Sequence, residues 1–255
     1  MLGWLNLPSQ HWLKMQLTVI TPTYNERENL IKLGEALFAL PLPDLKLIVV
    51  DDNSPDGTGE AADNLVERYP GRVVVLHRKG KLGFGSAYIQ GFQRALADGA
   101  EIVGQMDADF SHPPEKILEM LLALEKYDIV VGSRYILGGG LDQDWPIWRK
   151  GLSHFANNYA RVILQLPIRD VTGGFRLWRR NALESIPIDR IRSNGYSFLV
   201  ELAYVAHRLG FTIGEVPIYF AERHWGDSKM SFRIQAEAAF RVWQLLWEYR
   251  DLEKI

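Results

Sequence analysis

Short apolar runs alternate with longer segments of helical spacing through the first half of the chain. QLTVIT (16–21) predicts a buried strand, and in NERENLIKLGEALFAL (25–40) Leu30, Leu33, Leu37 and Leu40 share one helical face. KLIVVDD (46–52), RVVVLH (72–77), EIVGQMD (101–107) and DIVVGSR (128–134) predict further strands. Helices are expected over TGEAADNLVERY (58–69), around GSAYIQGFQRALADG, and over PPEKILEMLLALEKY (113–127). The last opens on proline, where a missing N–H costs least.

Strands separated by single helices imply right-handed crossovers and an α/β fold with a mainly parallel sheet. Ligands of such sheets sit beyond the carboxyl ends of the strands. The polar clusters TPTYNE, DDNSPDGT, DADFSH and GSRY all fall on those ends. Four polar segments converging on one edge predict a site.

The second half is less regular. Leu152, Phe155, Tyr159, Val162, Ile163 and Leu166 recur at helical spacing, as do Phe198, Leu202, Val205 and Leu209, and both stripes are expected to be core. TIGEVPIYF (212–220) predicts a strand leading into ERHWGDSK. Without a linker, repeat or low-complexity tract, the expectation is one domain over 1–255. It comprises an extension (1–15), two working parts (16–133 and 134–230) and a C-terminal helix (231–255).

Composition narrows the class. The chain has 255 residues, 47% hydrophobic and 24% charged, which fits a globular protein and argues against disorder. A formal net charge of −2 gives no reason to expect nucleic acid as a partner. The absence of cysteine removes thiolate nucleophiles and Cys-ligated zinc, and fits a reducing compartment. No apolar run reaches the ~18 residues of a spanning helix, so a cytoplasmic protein is expected. Charge is uneven, however. Residues 134–180 carry a local +5, from eight basic and three acidic residues, which suggests a half that receives an anion.

Candidate chemistry centres on Asp107 and Asp109. On an extended segment they would face one point, offering the oxygens that Mg²⁺ or Mn²⁺ prefers. The competing reading is that Asp109 or Ser111 caps the helix at Pro113. Asp52 can accept hydrogen bonds from a base or ribose, Tyr24 can stack on a base, and Glu26 can take ribose hydroxyls or serve as a first-turn charge. His112 reads as a turn histidine, Glu201 as either an active-site acid or a helix-surface carboxylate, and GGG (138–140) as a mobile loop able to close over substrate. The Gly-x-Gly of KLGFGSAYIQG follows the third strand, with no acidic residue at the expected later strand end, which argues against a nicotinamide dehydrogenase. An aspartyl-phosphate phosphatase would need its nucleophile on the first strand, which ends instead in TPTYNE.

Taken together, TPTYNERENL, VVDDNSPDGT, KLGFGSAYIQGF, DADFSHPPE, VGSRY, RDVTGGFRLWRR, GYSFLVEL and EVPIYFAERHWGDSK resemble the family 2 inverting glycosyltransferases of the GT-A fold, a Rossmann-like sheet flanked by helices. Within that family the resemblance is to the polyprenol-phosphate (dolichol-phosphate) mannosyltransferases. It implies a GDP-mannose donor and a membrane polyprenyl phosphate acceptor; the same fold with UDP-glucose, or a nucleotide-binding module without turnover, are the rival readings. Pro22, Tyr24 and Glu26 would hold the nucleoside, with Val50 and Asp52 around the base. Asp107, Ala108 and Asp109 would lie along the diphosphate, with Asp107 and Asp109 on Mg²⁺ or Mn²⁺. Arg134, Arg223 and Lys229 would meet phosphate oxygens, Asp109 and Arg134 being the residues closest to catalysis. Some family members place a longer amide side chain where Ser111 stands, so no third protein ligand is carried over. Others have C-terminal membrane spans. Here SFRIQAEAAFRVWQLLWEYR (231–250) is instead aromatic-rich, suggesting peripheral attachment at the cytoplasmic face or packing onto the domain, with room for a membrane-protein partner.

Overall fold

The computed structural model describes residues 15–142, 146–220 and 232–254, with the backbone alone for 232–238. A seven-stranded sheet runs in the order β3-β2-β1-β4-β7-β5-β8. Its strands are β1 (Leu17–Thr23), β2 (Lys46–Asp51), β3 (Val73–His77), β4 (Ile102–Gln105), β5 (Ile129–Ser133), β7 (Arg176–Arg179) and β8 (Ile213–Pro217). A separate ribbon pairs β6 (Gly140–Leu141) with β9 (Tyr219–Phe220). All pairings are parallel except those of β7 with β4 and β5.

Alternate residues of each strand serve opposite layers, as side-chain period 2 requires. Leu17, Val19, Leu47 and Val49 pack with Leu30, Leu33 and Leu37 of α1 (Arg27–Phe38), Leu65 of α2 (Thr58–Arg68) and Met120 of α4 (Ile117–Ala123). Ile20, Ile48, Val50 and Val103 face Tyr88 and Phe92 of α3 (Phe84–Ala97) and Phe198 and Leu202 of α7 (Gly195–Arg208). Covering both faces explains why the parallel strands read as continuous apolar runs.

The chain runs outward from β1 through β2 to β3, then returns to the other side of β1 as β4. That reversal places a crevice between the carboxyl ends of β1 and β4, where open α/β sheets bind ligands. TPTYNE and DADFSH flank it.

Several expectations need correction. The strand expected over 101–107 stops at Gln105, so Asp107 and Asp109 lie in a turn and strand alternation does not align them. The helix expected from Pro113 begins as a 3-10 turn, Pro114–Lys116; Pro113 is extended and no side chain caps it. The strand expected over 212–220 breaks after Pro217, and its tail joins β6 instead of the main sheet. GGG leads into that ribbon and is built in: Gly140 N–H donates to Ile218 O at 3.0 Å, and a Cβ on Gly139 would sit 2.5 Å from Ser133 O.

The stripe from Leu152 to Leu166 is core only in part: Leu166 is buried, and Tyr159 and Ile163 pack against the core. In α5 (Ile147–Ile163) the buried residues are Asn157 and Ala160, whereas Phe155 and Val162 are each 68% exposed. The α7 stripe is buried as expected. α8 (Phe232–Glu248) buries Val242 and Leu245 and exposes Phe240, Trp243 and Trp247. Trp243 Nε1 donates to Tyr159 Oη at 2.9 Å, and Tyr159 stacks on Phe155, so the exposed aromatics of α5 and α8 form one surface. Among the described residues no helix is long and apolar enough to cross a membrane.

Candidate active site

The ends of β1 and β2 are stitched into one wall. Thr23 Oγ1 donates to Asp51 Oδ1 at 3.2 Å, Ser54 Oγ donates to the same oxygen at 2.5 Å, and Asn25 N–H donates to Ser54 Oγ at 3.1 Å. Asn25 and Asn53 turn the chain at positive φ, 62° and 59°, a conformation asparagine tolerates better than most residues. Pro22 lies in register with buried Val50. Tyr24 is 38% exposed with Lys81 Nζ 4.0 Å over its ring. Glu26 precedes α1 without capping it, and its carboxylate accepts from Asn29 Nδ2 at 2.8 Å.

Asp52 is buried against Arg78 Nη1 at 2.6 Å, a charge contact whose alignment falls short of a hydrogen bond. Arg78 also donates to Ser86 Oγ at 2.6 Å, tying the ends of β2 and β3 to the start of α3. The glycines of KLGFG serve this junction: a Cβ on Gly83 would collide with Asn194, and one on Gly85 would lie 2.9 Å from the Phe198 ring. Gly85 N–H donates to Asn194 Oδ1 at 2.9 Å, so the Gly-x-Gly is a packing device.

On the β4 side the two aspartates are held differently. Asp107 Oδ1 accepts from Tyr88 Oη at 3.2 Å, and Asp107 N–H donates to His112 Nδ1 at 3.0 Å. Asp109 Oδ1 accepts from Ser111 Oγ at 2.5 Å and Ser111 N at 3.1 Å. Asp109 thus organises its own turn and leaves the helix uncapped. Phe110, between Asp109 and Ser111, has φ +58°, a strained value for a bulky residue and a conformation found preferentially at functional sites. Both carboxylates act on the Tyr88 phenol, whose pKa is raised well above its usual value by burial and then by Asp107, with a smaller push from Asp109. Ala108 is buried in the apolar layer. Among the described residues no group of three or more His, Cys, Asp or Glu forms a cation site. Two carboxylates supply hard oxygen donors but an incomplete set, which suits a cation that shares its shell with phosphate oxygens.

The loop 169–174 closes the far side. Arg134, at the end of β5, donates from Nε and Nη2 to Asp170 at 2.8 and 2.7 Å, and from Nη2 to Thr172 Oγ1 at 2.8 Å. Glu215 accepts the Arg169 and Asp170 amides at 2.8 and 2.9 Å, and Asn157 accepts the Val171 amide at 2.9 Å. Arg176 donates to the carbonyls of Gly173, Leu199 and Val171 at 2.8, 2.8 and 2.9 Å. Burial pushes the Arg176 guanidinium down to about 10, still protonated at neutral pH. The loop ends at Gly174, where a Cβ would stand 3.3 Å from His112 and 3.7 Å from Asp107 Oδ2.

The structure brings Asp107, Asp109, Tyr24, Glu26 and Asp52 to the same edge of the sheet, while Arg223 and Lys229 lie outside the described residues. The basic stretch is less open than its charge suggests, since Arg134, Arg176, Arg179 and Arg180 all donate to internal partners. Glu201 is neither an active-site acid nor a surface carboxylate. Fully buried, it accepts from Ser193 N, Tyr249 Oη and Arg241 Nη2 at 2.7, 2.8 and 2.9 Å, locking α7 to α8. Sequence reasoning missed Tyr88, Arg78 and Asp170. For Asp170 the signal was one acid inside an otherwise basic motif.

A Rossmann-like sheet with a reversed strand order and an acidic pair at the switch point defines an α/β protein built to hold an anionic, nucleotide-like ligand. The chain belongs to glycosyl transferase family 2, whose model matches residues 18–186. It is 46% identical over 226 residues to a polyprenol monophosphomannose synthase of Mycolicibacterium smegmatis, covering 88% of this chain and 84% of that one. It is 44% identical over 239 residues to an undecaprenyl-phosphate mannosyltransferase of Micrococcus luteus, covering 92% and 97%. In fold it matches the mannosyltransferase PcManGT of Pyrobaculum calidifontis, solved with GDP-Man and Mn²⁺, at a TM-score of 0.57 and 18% identity over 96% of this chain and 81% of that one. It likewise matches the glucosyl-3-phosphoglycerate synthase of Mycobacterium tuberculosis at 0.64 and 18%, over 92% and 80%.

Proposed function

We propose that the protein transfers mannose from GDP-mannose to a polyprenyl monophosphate, giving a β-linked polyprenyl-phosphate mannose and GDP, with Mg²⁺ or Mn²⁺ as cofactor. The observation that carries this reading is the Asp107/Asp109 pair at the β1/β4 switch point, in a chain 46% and 44% identical to two polyprenyl-phosphate mannose transferases. Asp107 and Asp109 would hold the cation, which neutralises charge on the departing diphosphate. Tyr24, Glu26, Pro22, Val50 and Asp52 receive the nucleoside, and Ala108 contributes backbone beside the diphosphate. Arg134, Arg223 and Lys229 meet phosphate oxygens of donor or acceptor.

The acceptor is a phosphate monoester with a second pKa near ~6, so its oxygen is already ionised near neutrality. It attacks the anomeric carbon directly and inverts the donor configuration; no side chain has to remove a proton. Arg134 in this scheme is a fixed charge oriented by Asp170. The exposed Phe155, Phe240, Trp243 and Trp247 support a peripheral seat on the cytoplasmic face of the membrane that holds the acceptor.

The test is turnover by purified protein of labelled GDP-mannose with a polyprenyl phosphate and Mg²⁺ or Mn²⁺. A chelator-sensitive lipid-linked mannose is expected. Its absence, or equal turnover of UDP-glucose, overturns the assignment.

A further inference from the structure

Tyr88 is 0% exposed, its ring stacked on Phe198 with centroids 6.2 Å apart and set edge-on to Phe84 at 4.9 Å. α3 can approach the sheet this closely because Gly91, one turn further on, has no side chain; a Cβ there would collide with Ile20. The phenol is thereby aimed past the end of β4. A buried tyrosine hydroxyl needs a partner, and this one donates to Asp107 Oδ1 at 3.2 Å. The backbone N–H of Asp107 donates to His112 Nδ1 at 3.0 Å, and the His112 ring stacks on Phe175 at 5.3 Å. The other oxygen of Asp107, Oδ2, lies beside Gly174, 3.7 Å from where a Cβ would stand.

We propose that Tyr88 is a positioning residue for the Asp107 carboxylate, holding Oδ1 so that the group presents a fixed orientation to the divalent cation and the donor diphosphate. The inference rests on the cation reading above. Ligating carboxylates are commonly fixed by such outer hydrogen bonds, and losing one typically costs about 10- to 100-fold in metal affinity or activity. Asp109 is held from within its own turn by Ser111, whereas the donor to Asp107 comes from a separate helix, so its contribution can be removed alone.

Full-length Tyr88→Phe deletes only the hydroxyl. Mn²⁺ binding is measured by calorimetry in the presence of GDP, turnover is followed across a Mn²⁺ series, and melting is recorded in chelator. The Mn²⁺ dissociation constant should rise at least about tenfold. The Mn²⁺ concentration needed for half-maximal rate should rise with it, while kcat at saturating Mn²⁺ stays within about twofold. Unchanged Mn²⁺ affinity, or a rate loss that saturating Mn²⁺ does not restore, overturns the proposal. Should the variant melt early, Tyr88→Phe in an Asp107→Ala background, which removes the accepting oxygen, decides. A hydroxyl acting through the carboxylate adds nothing to the Asp107→Ala loss, and a merely structural one adds its full loss. If Asp107→Ala itself binds Mn²⁺ normally, the cation reading fails; if only Tyr88→Phe does, the positioning role alone is lost.

Discussion

The guanidinium of Arg134 meets the carboxylate of Asp170 at two points, 2.8 and 2.7 Å, with side chains 6% and 0% exposed. Burial works against both charges, yet each outlasts it: Asp170 holds the Arg134 guanidinium above its ordinary value, and Arg134 holds the Asp170 carboxyl below 3.8. A carboxyl depressed in the folded state contributes its full stability above the unfolded value and loses it as pH falls further. Removing one member of such a pair strands the other, at a cost of about 3–5 kcal/mol. Asp170→Asn should therefore lose roughly that much in urea unfolding at pH 7, less whatever the amide recovers by hydrogen bonding. The gap between variant and parent should narrow only below about pH 3.8. Turnover should fall as well, because Arg134 loses the partner that orients it.

Asp107→Asn and Asp109→Asn keep an oxygen for Tyr88 and Ser111 while removing the charge. Turnover with Mg²⁺ or Mn²⁺ should drop by at least about 10²-fold, the scale of losing charge stabilisation in a transition state. Melting in chelator should stay near the parent value, since the hydrogen bonds at Oδ1 survive. A large melting shift with preserved metal stimulation would return the pair to a structural role.

The strands and helices of the first half were legible because their burial alternates at short range: Leu30, Leu33 and Leu37 announce one face, and the runs in β1 and β2 announce two. β7 was hidden because Arg-Leu-Trp-Arg reads as charged surface. Arg176 is buried there only because three carbonyls, one from α7, converge on it. Asp170 was equally opaque, since its partner is 36 residues away. Phe155 failed the other way, lying on a helical stripe that turns outward. The edge chemistry was legible because strand ends are fixed by topology, while its supports come from distant elements.

Glu201→Gln separates fold from chemistry. The carboxylate serves Arg241, Tyr249 and the 192–193 backbone, and the Tyr249 phenol is raised far above its usual value by burial and by Glu201. Arg241 keeps Glu248 at 2.7 Å, so the loss should sit near the low end for a broken buried pair, about 3 kcal/mol in urea unfolding. The pH profile of kcat should be unchanged. A missing limb in that profile would restore Glu201 as an acid.

Gly139 and Gly151 offer a matched pair. A Cβ on Gly139 meets the Ser133 and Arg134 backbone at 2.5 and 3.1 Å, atoms that cannot step aside, whereas one on Gly151, within α5, meets nothing within 4 Å. Gly139→Ala should cost about 1–3 kcal/mol and depress turnover by displacing Arg134. Gly151→Ala should gain up to about 1 kcal/mol from helix propensity, with turnover intact. Thermal melts and initial rates on the two variants check both.

The outward face of α8 tests the membrane seat. Phe240 and Trp247 are 65% and 71% exposed, while Val242, Leu245 and Tyr249 hold the opposite face to the domain. Replacing both with serine should leave melting nearly unchanged, since little buried surface is lost. A buried large apolar side chain is worth about 1.5–3 kcal/mol, and each 1.4 kcal/mol is about tenfold in affinity. Co-sedimentation with phospholipid vesicles should therefore weaken at least about tenfold. Turnover of a long polyprenyl phosphate in vesicles should fall with it, and that of a short, water-soluble acceptor should not. Equal losses on both acceptors would mean that α8 supports the active site through Glu201 rather than carrying it to the bilayer.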